Sequence, residues 1–434
     1  MKGRIMISDT AGTEQRLPVY IGNEAISALF DYIKEHGLEK FRIVSDENTY
    51  QALGKSVDQA LKSRGYDVTV TLLKGEEIVA DEHYLIEVFL TLDRQERTFI
   101  AVGSGTLTDI TRFVSHRTRS AFISMPTASS VDGFTSIGAP LVVGGLKQSI
   151  LCQPPMALFA DLPTLCAAPP LLTAAGFGDM VGKLLSIADW KLGNVLWDEP
   201  YDEAISQHSR RAALLCAEHA EEIGRRTPES VRMLMDGLIE SGFCMLDFGN
   251  SSPASGAEHH ISHYWEMKLL VENRRALFHG AKVGVASVIS CGWYDAIRNL
   301  SRDQAAALLI NARRPDPEAI EREIRAVYAR VAEELIVEQA PFIRMSAQTF
   351  AGLKERIVER WDEVLEIAAH VPTAQQMTEW LRKANAPLTG EQLGLYAEEV
   401  RLAKEYSHYL RKRFTINKLR LIFGINGSLP DRAG

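Results

Sequence analysis

Up to about residue 160 the apolar positions switch repeatedly between a period of two and a period near 3.6. Leu17–Ile21 is a short β-type run, and Glu24–Glu35 follows with Ile26, Leu29, Phe30 and Ile33 at helical spacing. Phe41–Val44 has the compact apolar character of a buried strand and runs into Ser45-Asp46-Glu47-Asn48-Thr49, a turn and helix-start cluster. Asp67–Leu73, Thr98–Val102 and Ala121–Ser124 are further expected strands. Strands separated by helical stretches predict a parallel sheet wrapped by helices. Residues 138–151 differ: two apolar runs joined by Gly144-Gly145 predict a hairpin.

From Pro163 onward the pattern is almost wholly helical. Asp316-Pro317 is an N-cap followed by proline at the first helical position, and Ile320, Ile324, Val327, Val331 and Leu335 then recur every three or four residues. Gln348–Ala369 and Gly390–Arg413 continue that character. The expectation is an N-terminal α/β domain over residues 1–162 and an all-α domain over 163–434, with a small-molecule cleft where they meet.

Composition narrows the function without naming it. Hydrophobic residues make up 46% and charged residues 24% of 434, the balance of a globular chain. A net charge of −8 argues against a nucleic-acid or anionic-membrane partner, since phosphate binding needs a basic surface. The five cysteines (Cys152, Cys166, Cys216, Cys244, Cys291) are scattered and form no CxxC pair, which fits reduced thiols better than a disulfide framework. The N-terminal stretch has no apolar run of secretory type, and no segment has the roughly 18 uninterrupted apolar residues of a membrane span. The protein is therefore expected to be soluble and cytoplasmic.

Chemistry-bearing residues cluster at expected element ends. Phe99-Ile100-Ala101-Val102 runs into Gly103-Ser104-Gly105-Thr106-Leu107-Thr108-Asp109, with a helix expected to start near Thr108. A glycine turn between strand and helix lets backbone N–H groups approach a pyrophosphate at the positive helix end; a plain tight turn is the alternative. The next strand ends in Met125-Pro126-Thr127-Ala128-Ser129-Ser130-Val131-Asp132-Gly133-Phe134. Thr127 and Ser130 can donate to phosphate or ribose, and Asp132 can orient a substrate hydroxyl, against the alternative of a self-bonded Ser/Thr loop.

Three segments of the helical half suit a divalent metal. Ala174-Ala175-Gly176-Phe177-Gly178-Asp179 puts a carboxylate at what the flanking glycines suggest is a helix start. His259 and His263 stand at i and i+4 on one helix face, and Phe278-His279-Gly280 lies at a later turn. Four of the eleven histidines fall within residues 259–279. Each alone could be a solvated or core histidine; with Asp179 they offer a nitrogen, nitrogen, oxygen set suited to zinc or nickel, with positions open for substrate.

The succession GSGTLTD, PTASSVDGFTS, GFGDMVGK, EHHISH and FHG resembles the sn-glycerol-1-phosphate dehydrogenase family, which stands with the metal-dependent polyol dehydrogenases and the dehydroquinate synthases. The match runs in order from about residue 17 to 290. It implies a Rossmann-like cofactor domain followed by a helical metal domain, with NAD or NADP and one divalent metal as cofactors. Gly103, Ser104, Gly105, Thr106 and Leu107 would then hold the pyrophosphate, with Thr127, Ser130 and Ser136 near the dinucleotide and Asp46 on the ribose. Asp179, His259 and His279 would be the metal ligands, and Asp132 and His263 substrate contacts. Dehydroquinate synthases carry Glu where this chain has Asp179, and plain glycerol dehydrogenases resemble PTxASTD at the hydroxyl-rich loop. Residues of about 300–400 match no motif.

The implied reaction is hydride transfer between dihydroxyacetone phosphate and sn-glycerol 1-phosphate, with His263 either moving the hydroxyl proton or binding substrate. Lys147 is a candidate for the phosphate, with an ordinary solvated lysine as the alternative. Glycerol or another polyol remains an alternative substrate. A carbocycle-forming lyase that uses NAD transiently, and a non-catalytic metal and nucleotide binder, are the alternative classes. Steady NADH accumulation, and turnover on any polyol, separate these. A homodimer is a family-level expectation.

Overall fold

The computed structural model describes residues 17–144 and 146–425. Among the described residues the strands are β1 (Val19–Gly22), β2 (Lys40–Asp46), β3 (Asp67–Leu73), β4 (Thr98–Gly103), β5 (Phe122–Pro126), β6 (Gly138–Val143), β7 (Leu146–Leu151) and β8 (Ala157–Asp161). Six form an all-parallel sheet in the order β1-β8-β5-β4-β2-β3, while β6 and β7 make the expected antiparallel hairpin. β8 lies outside the strands expected from the pattern. It is five residues long and wholly apolar before Asp161, too short for period alone to declare it.

Side chains that alternate along a strand feed two cores, one on each sheet face. Ile43, Ile100, Val102, Ile123 and Met125 pack with Ala25, Leu29 and Ile33 of the helix Ala25–Glu35. Val44, Phe99, Ala101 and Phe122 pack on the other face with Leu85 and Val88, and with Leu107, Ile110 and Val114 of the helix Gly105–Arg117. A sheet buried on both faces explains why its strands are near-continuous apolar runs.

The chain divides into two compact units, one running to Met180 and taking up Glu221–Asn250, the other comprising Val181–Ala220 and the chain from Ser251. The return of Glu221–Asn250 has a packing reason: Val231, Met235, Ile239 and Phe243 of the helix Pro228–Phe248 share a core with Val19, Ile21, Leu158 and Ala160. The helical stretch expected from Pro163 thus does not coincide with one unit. In the second unit the helices Ala257–Val271 and His279–Arg298 pack together, and Trp361–His370, Ala374–Lys383 and Ile416–Ile422 pack on His279–Arg298.

Several helical expectations are corrected. Asp179 does not start a helix; it sits inside Pro170–Trp197, a helix of 28 residues. The glycines around it serve close approach: a Cβ at Gly176 would lie 2.0 Å from the Ser129 carbonyl oxygen, and one at Gly182 2.7 Å from Val283. That helix is long and apolar enough to cross a membrane, but 89% of its apolar window is buried, so its composition is that of a core helix. The stripe from Ile320 to Leu335 is two helices, Pro317–Tyr328 and Ala332–Ile343, parted at Ala329 with φ 32°. Gln348–Ala369 likewise divides at Arg360, and within Gly390–Arg413 the α-helix is confined to Ala397–Tyr406.

The Gly176 contact generates a direct test. A methyl forced against a backbone oxygen cannot be relieved by a rotamer change, so Gly176→Ala should lower stability by about 1–3 kcal/mol. Calorimetry should register a lower Tm; a Tm equal to the parent's would contradict the packing described.

Candidate active site

Three adjacent strands of the sheet, β5, β4 and β2, end together at Pro126, Gly103 and Asp46, with Gly103 in register with Pro126. The carboxyl edge of a parallel sheet is where such folds take ligands. Beyond β4 the helix opens at Gly105, three residues before the expected start, with Ser104 as an extended N-cap that makes no side-chain capping bond. The first N–H groups of the helix are therefore not closed by that residue. Space explains the glycines: a Cβ on Gly103 would meet Leu107 at 2.6 Å, and one on Gly105 would meet Val131 at 2.9 Å.

Asp46 ends β2 as expected but already has structural work. Its carboxylate accepts from Thr49 N–H at 2.7 Å and Thr49 Oγ1 at 3.0 Å, capping the following turn. The hydroxyl-rich loop is buried at Thr127, Ser130, Asp132 and Ser136. Ser136 Oγ donates to the Gly133 carbonyl at 3.2 Å, closing its own loop, and Thr127 N–H donates to Gly103 O at 3.3 Å. Asp132 is tied at both ends: its N–H donates to Asp179 Oδ2 at 3.1 Å and its carboxylate accepts from Ser241 Oγ at 2.9 Å.

Two residues outside the sequence expectation hold this loop. Ser241, on the helix Pro228–Phe248, is one. The other is Arg112, a fully buried arginine whose fork donates to Gly138 O at 2.7 Å, Gly133 O at 2.6 Å and Phe134 O at 3.0 Å, and which pairs with Asp109 at 3.0 Å. Burial pushes the Asp109 carboxyl up to about 7, opposed by the charges of Arg112 and Lys147 and reinforced by Asp132. Apart from the i, i+3 pair of Asp109 and Arg112, neither residue carries a local sequence signal, because the loop groups they hold are backbone carbonyls and a side chain distant in sequence. Lys147 sits on β7 opposite Val142.

The imidazoles gather on two helices. His259 and His263 stand one turn apart on Ala257–Val271, and His279 is the first residue of His279–Arg298. Ring centroids are 5.2 Å apart for His259 and His279, 6.1 Å for His259 and His263, and 5.9 Å for His263 and His279. Behind them lies Glu258, fully buried, whose Oε1 meets His259 Nδ1 at 2.6 Å, Ser186 Oγ at 2.7 Å and Gly256 N at 2.7 Å. Burial raises its carboxyl, and these donors more than offset that, holding it below the ordinary glutamate range. His260, the neighbour of His259, is driven well below the ordinary histidine range by burial and by the charges of Arg413, Arg411 and Lys418.

Asp179 stands within about two turns of Gly182, Lys183 and Ser186 on one continuous helix. Ser186 bonds Glu258, Lys183 donates to Ala254 O, and Gly182 packs on Val283, so the helix carries Asp179 up to the imidazoles. One ligand atom each from Asp179, His259 and His279 lies within 4.8 Å of the others. His263, Glu266 and His279 make a second set under the same limit, so His279 is common to both. Glu266 was not among the expected residues, and it is also paired with the buried Lys282 at 3.3 Å.

A parallel sheet with a glycine turn at its carboxyl edge, followed by helices bearing an acidic and imidazole cluster, is the architecture of the metal-dependent alcohol dehydrogenases and dehydroquinate synthases. Residues 20–169 match the family described as iron-containing alcohol dehydrogenase. Among solved structures, glycerol dehydrogenase from Schizosaccharomyces pombe covers 94% of this chain and 88% of its own at TM-score 0.59 and 17% identity, a likeness of fold. A 1,3-propanediol oxidoreductase covers 94% and 96% at TM-score 0.61 and 13% identity.

Closer relatives are curated as glycerol-1-phosphate dehydrogenase [NAD(P)+]. That of Geobacillus thermodenitrificans is 34% identical over 94% of this chain and 92% of its own length, and that of Bacillus subtilis 35% over 93% and 91%. That of Halalkalibacterium halodurans is 46% identical over 63% of this chain and 69% of its own. The chain belongs to the glycerol-1-phosphate dehydrogenase family.

Arg112 yields a prediction. Replacing its fork by the single ammonium of Arg112→Lys leaves buried carbonyls unsatisfied, at about 1–3 kcal/mol each. Amide hydrogen exchange should quicken over residues 133–138; exchange at the parent rate would contradict the stapling role.

Proposed function

We propose that this chain interconverts dihydroxyacetone phosphate and sn-glycerol 1-phosphate by NAD(P)-linked hydride transfer, with one divalent cation held by Asp179, His259 and His279. The observation that carries this reading is the approach of those three ligand atoms to within 4.8 Å, from positions spread over a hundred residues of sequence. The names of the relatives support the phosphorylated substrate. The donor set also fits: two imidazoles and a carboxylate, without cysteine, suit an open catalytic centre for zinc or nickel. His263, with Glu266, belongs to the second set, and we assign it to substrate because its ring stands beside His279.

When bound, the cation supplies Lewis-acid polarisation of the C2 oxygen. The chain's own residues do the rest. The N–H groups from Ser104 to Leu107, at the start of the helix Gly105–Arg117, receive the pyrophosphate. Thr127, Ser130 and Ser136 line the dinucleotide, and Asp46 accepts from a ribose hydroxyl while keeping its bonds to Thr49. Asp132, anchored by Ser241, orients the substrate hydroxyl. His263 carries the hydroxyl proton towards water. Lys147, whose charge is felt by Asp109, is the cation we assign to the substrate phosphate. A homodimer working in the cytoplasm completes the proposal.

Nicotinamide absorbance followed on glycerol, both glycerol phosphate enantiomers and dihydroxyacetone phosphate, with zinc- or nickel-loaded protein, tests it. Sustained turnover is expected on sn-glycerol 1-phosphate and dihydroxyacetone phosphate. Activity on glycerol alone would overturn the phosphate reading. Asp179→Ala and His279→Ala should each lose bound metal and turnover together, as measured by elemental analysis beside the assay.

A further inference from the structure

We propose that Glu258 is the positioning residue of the metal centre: it holds the Nδ1–H of His259, turns Nε2 outward as the ligand atom, and so sets how tightly the cation is kept. The inference rests on the metal reading above and adds a residue to it.

The geometry is specific. A neutral imidazole has one N–H and one lone pair, and the partner of one nitrogen decides which nitrogen can ligate. Glu258 Oε1 lies 2.6 Å from His259 Nδ1. That same oxygen accepts from Ser186 Oγ at 2.7 Å and from Gly256 N–H at 2.7 Å. An oxygen receiving two fixed donors is an acceptor towards the third, so the proton of the imidazole belongs on Nδ1. The lone pair is left on Nε2.

The carboxylate is built in rather than incidental. It has no solvent exposure, and burying it is tolerable only with such donors around it. Gly256 makes room for it: a Cβ there would lie 2.8 Å from Glu258 Oε2 and 2.7 Å from Asp189 Oδ2. Asp189 in turn accepts from Ala257 N–H at 2.7 Å, fixing the first turn of the helix that carries Glu258 and His259. Two buried carboxylates therefore set the start of that helix and the rotation of its first imidazole. A carboxylate in this position raises ligand basicity and orients the ring, and its loss usually weakens metal affinity by about 10–100-fold.

The test is a competition titration of zinc against a chromophoric chelator, on the full chain, comparing the parent with Glu258→Gln, Ser186→Ala and His259→Ala. Glu258→Gln keeps shape and loses charge; it should weaken zinc binding by about 10–100-fold. Ser186→Ala leaves the carboxylate in place and removes one of its anchors, so a smaller loss in the same direction is expected. Cobalt-loaded Glu258→Gln should also show a shifted visible band, since the ligand field of His259 changes; a merely structural residue would leave the band in place. If Glu258→Gln binds zinc like the parent while His259→Ala does not, the positioning role is overturned. If His259→Ala also binds like the parent, the metal reading itself has failed. Should Glu258→Gln not fold, Ser186→Ala decides: parent affinity there overturns the role.

Discussion

A carboxylate removed from water must be met by donors or by a cation, because the desolvation cost is several kcal/mol per charge. The structure depends on that constraint. Asp179 and Glu258 are both without solvent exposure, and each is placed by contacts that also place its neighbours. Asp179 takes the N–H of Asp132, so the hydroxyl-rich loop and the long helix Pro170–Trp197 are joined at one hydrogen bond. Glu258 takes Ser186 of that same helix. Glycine is what permits this crowding: Gly176 against Ser129, Gly182 against Val283 and Gly256 against two carboxylates each exclude a side chain.

The same economy runs through the sheet unit. One buried guanidinium, Arg112, satisfies carbonyls of Gly133, Phe134 and Gly138 and thereby gives shape to a loop that has little regular structure of its own. Its helix begins at the glycine turn after β4, so the element that opens at the turn expected to meet the dinucleotide also holds, through this side chain, the loop expected to meet the substrate. The loops expected to carry function are thus held on rigid elements, an arrangement usual where chemistry must be precise and the scaffold stable.

Much of this was legible in the chain itself. The parallel sheet followed from compact apolar runs, the hairpin from Gly144-Gly145, and the histidine face from the i and i+4 spacing of His259 and His263. What was hidden has a common physical cause. Glycines next to Asp179 suggested a helix start, yet in a buried helix glycine serves equally for close packing, and sequence does not distinguish the two uses. A continuous stripe from Ile320 to Leu335 suggested one helix, but the backbone at Ala329 breaks it without a proline or glycine to announce the break. Arg112, Ser241 and Glu258 act on partners that only folding brings near, or, for Glu258, on the adjacent residue through a rotamer.

The most direct test of the account is a crystal of the zinc- or nickel-loaded protein with anomalous data at the metal edge. One ion bonded to Asp179, His259 Nε2 and His279 at about 2.0–2.2 Å is expected, with His259 Nδ1 still on Glu258. An ion seated on His263 and Glu266, with Asp179 turned away, would contradict it.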